Sequence, residues 1–140
     1  MPGPDRVGPV RESVKKNGGG RTVAVTVLVV DDTEAVRSLM KRYLEEDGYA
    51  VLEAANGAEA LIMLRAPGVQ VSIIVTDMRM PALDGRQLGA SLSQFPVPLP
   101  VLYVSGFPRP EGFQGPFLQK PFTHQQLTTA VRKLLASPPS

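Results

Sequence analysis

Ile73, Ile74 and Val75 are consecutive β-branched residues that lead through Thr76 into a carboxylate, Asp77. A run of this kind suits a strand buried on both faces, because branched side chains pack well on a pleated surface and no polar residue alternates with them. Strands buried on both faces belong to parallel sheets covered by helices, and such folds place ligands beyond the carboxyl ends of their strands. Asp77 stands at one of those ends. Pro81 stiffens the loop that follows, and Asp84 with Gln87 reads as a capped helix start at Gly85. An aspartate after a strand is commonly a turn former or a helix cap. The weight of Asp77 therefore depends on what the other strands bring beside it.

The same alternation runs through the chain. Val23 to Val30 (VAVTVLVV) is another β-branched run, and it ends in Asp31-Asp32. Adjacent carboxylates repel each other. Capping the next helix would use one of them, whereas a divalent cation would use both, and Asp77 favours the cation. Val36, Leu39, Met40, Tyr43 and Leu44 recur at helical spacing between Thr33 and Asp47, with Gly48 as the stop. Tyr49 to Ala55 reads as a strand. Asn56 to Arg65 reads as a helix with Asn56 as its cap and Glu59 three residues on, closed by Pro67-Gly68. The central strand spans Val71 to Thr76. Leu88 and Leu92 give the helix after Asp84 one apolar side, and Pro96, Pro98 and Pro100 bar helix beyond it. Val101 to Val104 is a fourth strand, ending at Ser105-Gly106. Phe117 to Gln119 is a short fifth, ending at Lys120-Pro121. Thr123 with Gln126 forms a capping box for a last helix carrying Leu127, Ala130, Val131, Leu134 and Leu135. Alternating strand and helix implies an α/β fold: a doubly wound, five-stranded parallel sheet with helices on both faces.

A chain of 140 residues with a hydrophobic fraction of 43% is sized for one domain with a real core. Residues 1–22, with Pro2, Pro4, Pro9 and the run Gly18-Gly19-Gly20, read as a disordered basic tail or linker; 23–136 read as the folded domain, and 137–140 as a disordered end. The tail has five basic residues against Asp5 and Glu12, net +3, leaving the rest with ten basic and eleven acidic residues, net −1. A near-neutral folded part does not point to nucleic acid. The absence of cysteine excludes disulfides and thiolate metal sites. No apolar run approaches a membrane span, and the N-terminus has no secretory h-region, so a cytoplasmic location without membrane contact is expected.

In a parallel sheet, Asp31/Asp32, Asp77, Ser105 and Lys120 would all emerge at one edge. Carboxylates bind a hard cation, one of them can act as a nucleophile, a hydroxyl donates to an oxyanion, and an ammonium offsets phosphoryl charge. The segments LVVDD (28–32), DMRMPALDG (77–85), YVSG (103–106) and QKPF (119–122) also resemble, in order, those of bacterial response-regulator receiver domains, over Val27 to about Leu135. That resemblance implies the flavodoxin-like strand order 2-1-3-4-5, for which a member of the same family is a standing example. It implies that Asp77 accepts a phosphoryl group from a phosphohistidine of a sensor histidine kinase or histidine phosphotransfer protein. It implies that Asp31, Asp32, Asp77 and the backbone carbonyl of Arg79 hold Mg²⁺, and that Lys120 pairs with Asp77 and later with the phosphoryl group. Ser105 would bond a phosphoryl oxygen, Gly106 would leave room for that group, and the Lys120-Pro121 bond would be cis. Phe117 occupies the position of an aromatic that turns inward when Ser105 moves; the alternative is a plain core aromatic. Three crowded carboxylates would raise one another's pKa. Tyr103 reads as core, Met78 and Met80 as packing beside the site, and His124, the only histidine, as a surface residue.

The chain departs from the family between the fourth and fifth strands. Gly106 to Gly115 (GFPRPEGFQG) holds three glycines and two prolines in ten residues, which leaves no room for an ordinary helix. A loop or single turn is expected there, and with it the loss of the family's usual helical dimer seam. The pattern SGF with LQKPF resembles receivers that end hybrid sensor kinases. Two other readings are a metal-dependent phosphohydrolase with an aspartyl nucleophile and a receiver-like interaction module that accepts no phosphoryl group. The first lacks an acid two residues after Asp77, where Arg79 stands; against the second stand the intact Asp31, Asp32, Asp77, Ser105 and Lys120.

Overall fold

The structure, a computed structural model, describes residues 14–16, 22–79, 85–92 and 99–136. Pro81, Asp84, Met80, Pro96, Pro98, most of the basic tail and the last four residues lie outside the described residues. Two sheets are present among them. A short antiparallel ribbon pairs β1 (Val14–Lys16) with β2 (Thr22–Ala24). The main sheet contains β3 (Thr26–Val30), β4 (Ala50–Ala54), β5 (Ile73–Asp77), β6 (Val101–Ser105) and β7 (Phe117–Gln119). Its order is β4-β3-β5-β6-β7 with every pair parallel, which is 2-1-3-4-5 when its own strands are counted. Val23–Val30, expected as one strand, is divided at Val25. β-branching favours extended backbone but does not name the partner: Thr22–Ala24 joins the ribbon and Thr26 onward joins the main sheet. The ribbon strand Val14–Lys16 falls within the segment expected as linker.

Helices α1 (Glu34–Glu46) and α4 (His124–Ala136) cover one face of the main sheet, and α2 (Gly57–Arg65) and α3 (Gly85–Leu92) the other. On the first face Val27, Val29, Ile73, Val75, Leu102 and Val104 meet Met40, Leu44, Leu127 and Val131. On the second Leu28, Val30, Ala54 and Ile74 meet Ala60, Leu88 and Leu92. Alternate residues of β3 and β5 thus feed opposite cores, as a strand buried on both faces requires. The helix ends follow local chemistry. Asn56 Oδ1 accepts from Glu59 N at 2.8 Å, and Thr123 and Gln126 exchange reciprocal side-chain bonds at 2.9 and 3.0 Å. Gly48 adopts φ 94° after α1, where only glycine is unstrained, and its N–H and that of Tyr49 take the last carbonyls at Glu45 and Leu44. Among the described residues no helix is long and apolar enough to cross a membrane.

Residues 106–116 form no helix, only a turn at Glu111-Gly112. The segment folds back on itself around Arg109. Its Nη1 donates to Phe113 O at 3.1 Å and Gly115 O at 2.8 Å, while the guanidinium lies 5.9 Å from the Phe113 ring centre and 5.2 Å from that of Phe117. Phe113 in turn meets Tyr103 edge-on at 5.2 Å. Tyr103, expected as core, is therefore only half-buried, because a loop covers its side of β6 where a helix would seal it. A Cβ at Gly115 would sit 2.7 Å from the Phe113 ring, so any larger residue there would push that ring aside. Arg109→Ala is expected to loosen the loop locally. Losing two exposed charge-assisted bonds costs about 1 kcal/mol, or roughly fivefold faster amide exchange over this segment with the sheet amides unchanged. Equal exchange rates in both proteins would show that Arg109 does not hold the loop.

Candidate functional site

The carboxyl ends of β3, β5, β6 and β7 converge because their strands are parallel and in register, with Val30 opposite Thr76, Asp77 opposite Val104 and Ser105 opposite Gln119. Lys120 Nζ sits between two of the carboxylates, 3.0 Å from Asp31 Oδ2 and 3.2 Å from Asp77 Oδ2. Lys120 N donates to Ser105 O at 2.7 Å, which ties the end of β7 to β6, and the Lys120-Pro121 bond is cis. Asp31 is fully buried, Asp77 nearly so, and Asp32 exposed. Asp31 Oδ1 accepts from Thr33 N at 2.8 Å, so one carboxylate of the adjacent pair turns the chain into α1 while its other oxygen holds Lys120. Asp77 Oδ1 accepts from Arg79 N at 3.1 Å.

The electrostatics favour added positive charge. Burial pushes the Asp77 carboxyl above its ordinary range, and the nearby Asp31 charge adds to this; the Arg79 N–H and Lys120 pull it back without cancelling the rise. The dominant cause is thus burial rather than the mutual repulsion expected from the sequence. Burial alone would lower the Lys120 ammonium, but bonds and charge from Asp31 and then Asp77 outweigh it and leave its pKa raised. Asp31, Asp32 and Asp77 each offer an oxygen, all within 4.8 Å of one another. Three carboxylates against one ammonium leave the cluster formally two charges negative. An all-oxygen, doubly negative donor set fits a hard divalent cation such as Mg²⁺.

Ser105 is buried beside this cluster, and its Oγ accepts from Phe107 N at 3.0 Å. Phe107 is 56% exposed, and the Arg79 guanidinium stacks over its ring at 4.4 Å, linking the loops after β5 and β6. A Cβ at Gly106 would meet nothing within 4 Å, so close packing does not demand glycine there. Phe117 is half-buried, with its ring 6.4 Å from that of Phe113. Met78 is buried. His124 is not simply a surface residue: it stacks on Tyr43 at 4.9 Å with the rings 5° apart and lies 3.7 Å from Glu46. Two participants had no motif to announce them. Arg37 reaches the Asp31 backbone carbonyl at 2.8 Å, and Glu53, at the far edge of the sheet, holds Arg37. No spacing in the sequence signals the contact, because Asp31 precedes α1 and lies six residues before Arg37.

An open α/β sheet that gathers acids, a hydroxyl and an ammonium at its carboxyl edge is the architecture of a receiver-type signalling domain. Residues 27–132 match the response regulator receiver domain family, and the chain belongs to it. The chain is 38% identical over 119 residues to the sensor kinase CckA of Brucella abortus, a stretch that is 80% of this chain and 13% of that protein. It is 32% identical over 115 residues to the transcriptional regulatory protein SrrA of Staphylococcus aureus, covering 78% of this chain and 47% of SrrA. The chain therefore spans less than half the length of these curated relatives. Among solved structures, the receiver domain of the hybrid histidine kinase CckA superposes with a TM-score of 0.66 at 35% identity, covering 79% of this chain and 98% of that one. A response regulator receiver protein of Sinorhizobium medicae does so with a TM-score of 0.69 at 31% identity, covering 81% and 96%.

Proposed function

We propose that this receiver domain accepts a phosphoryl group on Asp77 from a phosphohistidine, as one step of a two-component relay. The observation that carries the reading is the Lys120 ammonium bonded to both Asp31 and Asp77 at the strand edge. An Asp77 carboxylate oxygen attacks the phosphorus in line; an O–P bond forms, the P–N bond breaks, and its electron pair stays with the imidazole nitrogen. Lys120 lies close enough to Asp77 to offset charge on the transferred group. The Ser105 hydroxyl, now an acceptor from Phe107 N, has an O–H left to donate to a phosphoryl oxygen. Asp31, Asp32 and Asp77, with the Arg79 backbone carbonyl, would hold Mg²⁺, which when bound supplies charge neutralisation and orientation. Phe117 would follow Ser105 as the switching aromatic, and its contacts with Phe113 and Arg109 would pass that movement to the 106–116 loop. The donor would be a sensor histidine kinase or a histidine phosphotransfer protein. With no helix at 106–116, readout by the usual helical dimer seam is not expected.

Incubation with a small acyl phosphate and Mg²⁺, followed by intact-mass measurement, tests this. Uptake of one base-labile phosphoryl group, lost on chelation of Mg²⁺ beforehand, is expected. No uptake would leave a receiver fold that acts by contact alone, and repeated turnover would indicate a phosphohydrolase.

A further inference from the structure

Arg37 lies near the start of α1 with its side chain only 17% exposed. Its Nε donates to Glu53 Oε1 at 3.2 Å, and its Nη1 donates to the backbone oxygen of Asp31 at 2.8 Å. Glu53 is held from its other side by Lys41 at 3.3 Å. The Asp31 oxygen belongs to the peptide that joins Asp31 to Asp32. The other bonds to Asp31 among the described residues act on its amide or its carboxylate: its N donates to Ala54 O at 3.1 Å, Oδ1 accepts from Thr33 N, and Oδ2 accepts from Lys120. Among the described residues, only the guanidinium grips the peptide leading onward to Asp32. Asp32 is exposed, so packing does not orient it, yet its carboxylate shares the 4.8 Å cluster with Asp31 and Asp77.

We infer that Arg37 is a positioning residue for the cation site: braced by Glu53, it fixes the plane of the Asp31-Asp32 peptide so that both carboxylates face Asp77. The inference rests on the reading of those carboxylates as a divalent-cation site. Charge and positioning here act in opposite directions. A cation beside an acidic cluster opposes metal binding, so removing Arg37 would tighten Mg²⁺ if its charge were what mattered. If its bonds matter, removal frees the peptide, the ligands lose preorganisation, and Mg²⁺ binds more weakly. Lysine distinguishes the two further, because a point ammonium keeps the charge but cannot span Glu53 and the Asp31 carbonyl as a planar fork does.

Mg²⁺ affinity is measured by titration calorimetry on the full chain, well below the unfolding temperature, for the wild type, Arg37→Gln, Arg37→Lys and the control Lys41→Ala. Arg37→Gln and Arg37→Lys are each expected to weaken Mg²⁺ about tenfold, the scale typical of residues that support metal ligands. Lys41→Ala is expected to stay within about twofold, since it touches only the outer side of Glu53. A merely structural role would lower the melting temperature and leave the dissociation constant unmoved. If Arg37→Gln is too unstable to titrate, Glu53→Gln, which removes the brace, is expected to weaken Mg²⁺ in the same direction. Unchanged or tighter binding in Arg37→Gln, or in Glu53→Gln in its place, overturns the inference while leaving the cation site standing. Wild-type protein that binds no Mg²⁺ overturns both.

Discussion

Asp77→Asn protein is expected to take up no measurable phosphoryl group and, at the same time, to be more stable than the wild type. The loss of uptake follows from chemistry: an amide oxygen is a poor nucleophile, and removing a nucleophile lowers rates by at least about 10³-fold. The gain in stability follows from burial. The folded state holds the Asp77 proton to a higher pH than the unfolded chain does, so the unfolded chain releases it first, near its ordinary 3.8. Stability is therefore highest with Asp77 protonated and falls as the pH rises through the window between that value and the raised folded one. Asn is neutral throughout and carries no such penalty. Above the window the variant should gain about 1 kcal/mol, seen as a melting temperature several degrees higher. Near pH 3 the two proteins should converge. Uptake by Asp77→Asn at the wild-type rate would mean that another group accepts the phosphoryl; equal stability at neutral pH would mean that water or Lys120 already relieves the buried charge.

Lys120→Met should act in the opposite sense. Methionine keeps the apolar stem and removes the ammonium that holds Asp31 and Asp77. Asp31 is fully buried and the Asp77 side chain is 10% exposed, so neither can turn to bulk water for compensation. Breaking a buried pair from one side costs about 3 kcal/mol, less some relief because Lys120 is itself 20% exposed. The deficit should shrink as the pH falls and the buried Asp77 protonates, and Mg²⁺ should recover part of it. The wild type has a complementary alkaline limb. The stability contributed by Lys120 is complete below its ordinary 10.5 and is lost as the pH climbs through its raised folded value. Lys120→Met should lack that limb. Chemical denaturation at pH 5, 7 and about 11.5 reads all of this, the last lying above the ordinary lysine value, and a variant as stable as wild type at pH 7 would show that Lys120, Asp31 and Asp77 are not an energetic unit. Phosphoryl uptake should also fall steeply, since no other described cation bonds Asp77.

The two variants share a cause. A site that crowds carboxylates in a buried cleft stores instability, and one ammonium offsets part of it. The same compromise explains why Asp31, although it turns the chain into α1, does so with only one of its oxygens. The Thr33 side chain makes no cap bond of its own, so α1 begins on the carboxylate of a site residue.

The β-branched run ending at Val75, the spacing of Met40 with Leu44 and of Leu127 with Val131, and the caps at Asn56 and Thr123 are local signals, and each lies in the element it indicated. Parallel connection then places all strand ends at one edge, which is why the sequence alone brings Asp31, Asp77, Ser105 and Lys120 to one edge. The weak helical content of 106–116 was equally legible, since glycine and proline act on the backbone without help from neighbours. Partner choice was not local. Nothing in VAVTVLVV says that Thr22–Ala24 turns away to a ribbon while Thr26 onward enters the sheet, because extended backbone pairs with whatever edge is presented. Arg37, Glu53 and Arg109 look like ordinary surface charges in a sequence. Their bonds to Asp31 O, to each other and to the carbonyls of Phe113 and Gly115 exist only after the packing of α1, β4 and the loop sets the distances. Periodicity records which face a residue takes, but a hydrogen bond depends on where two distant backbones come to rest, and that is a property of the assembled fold.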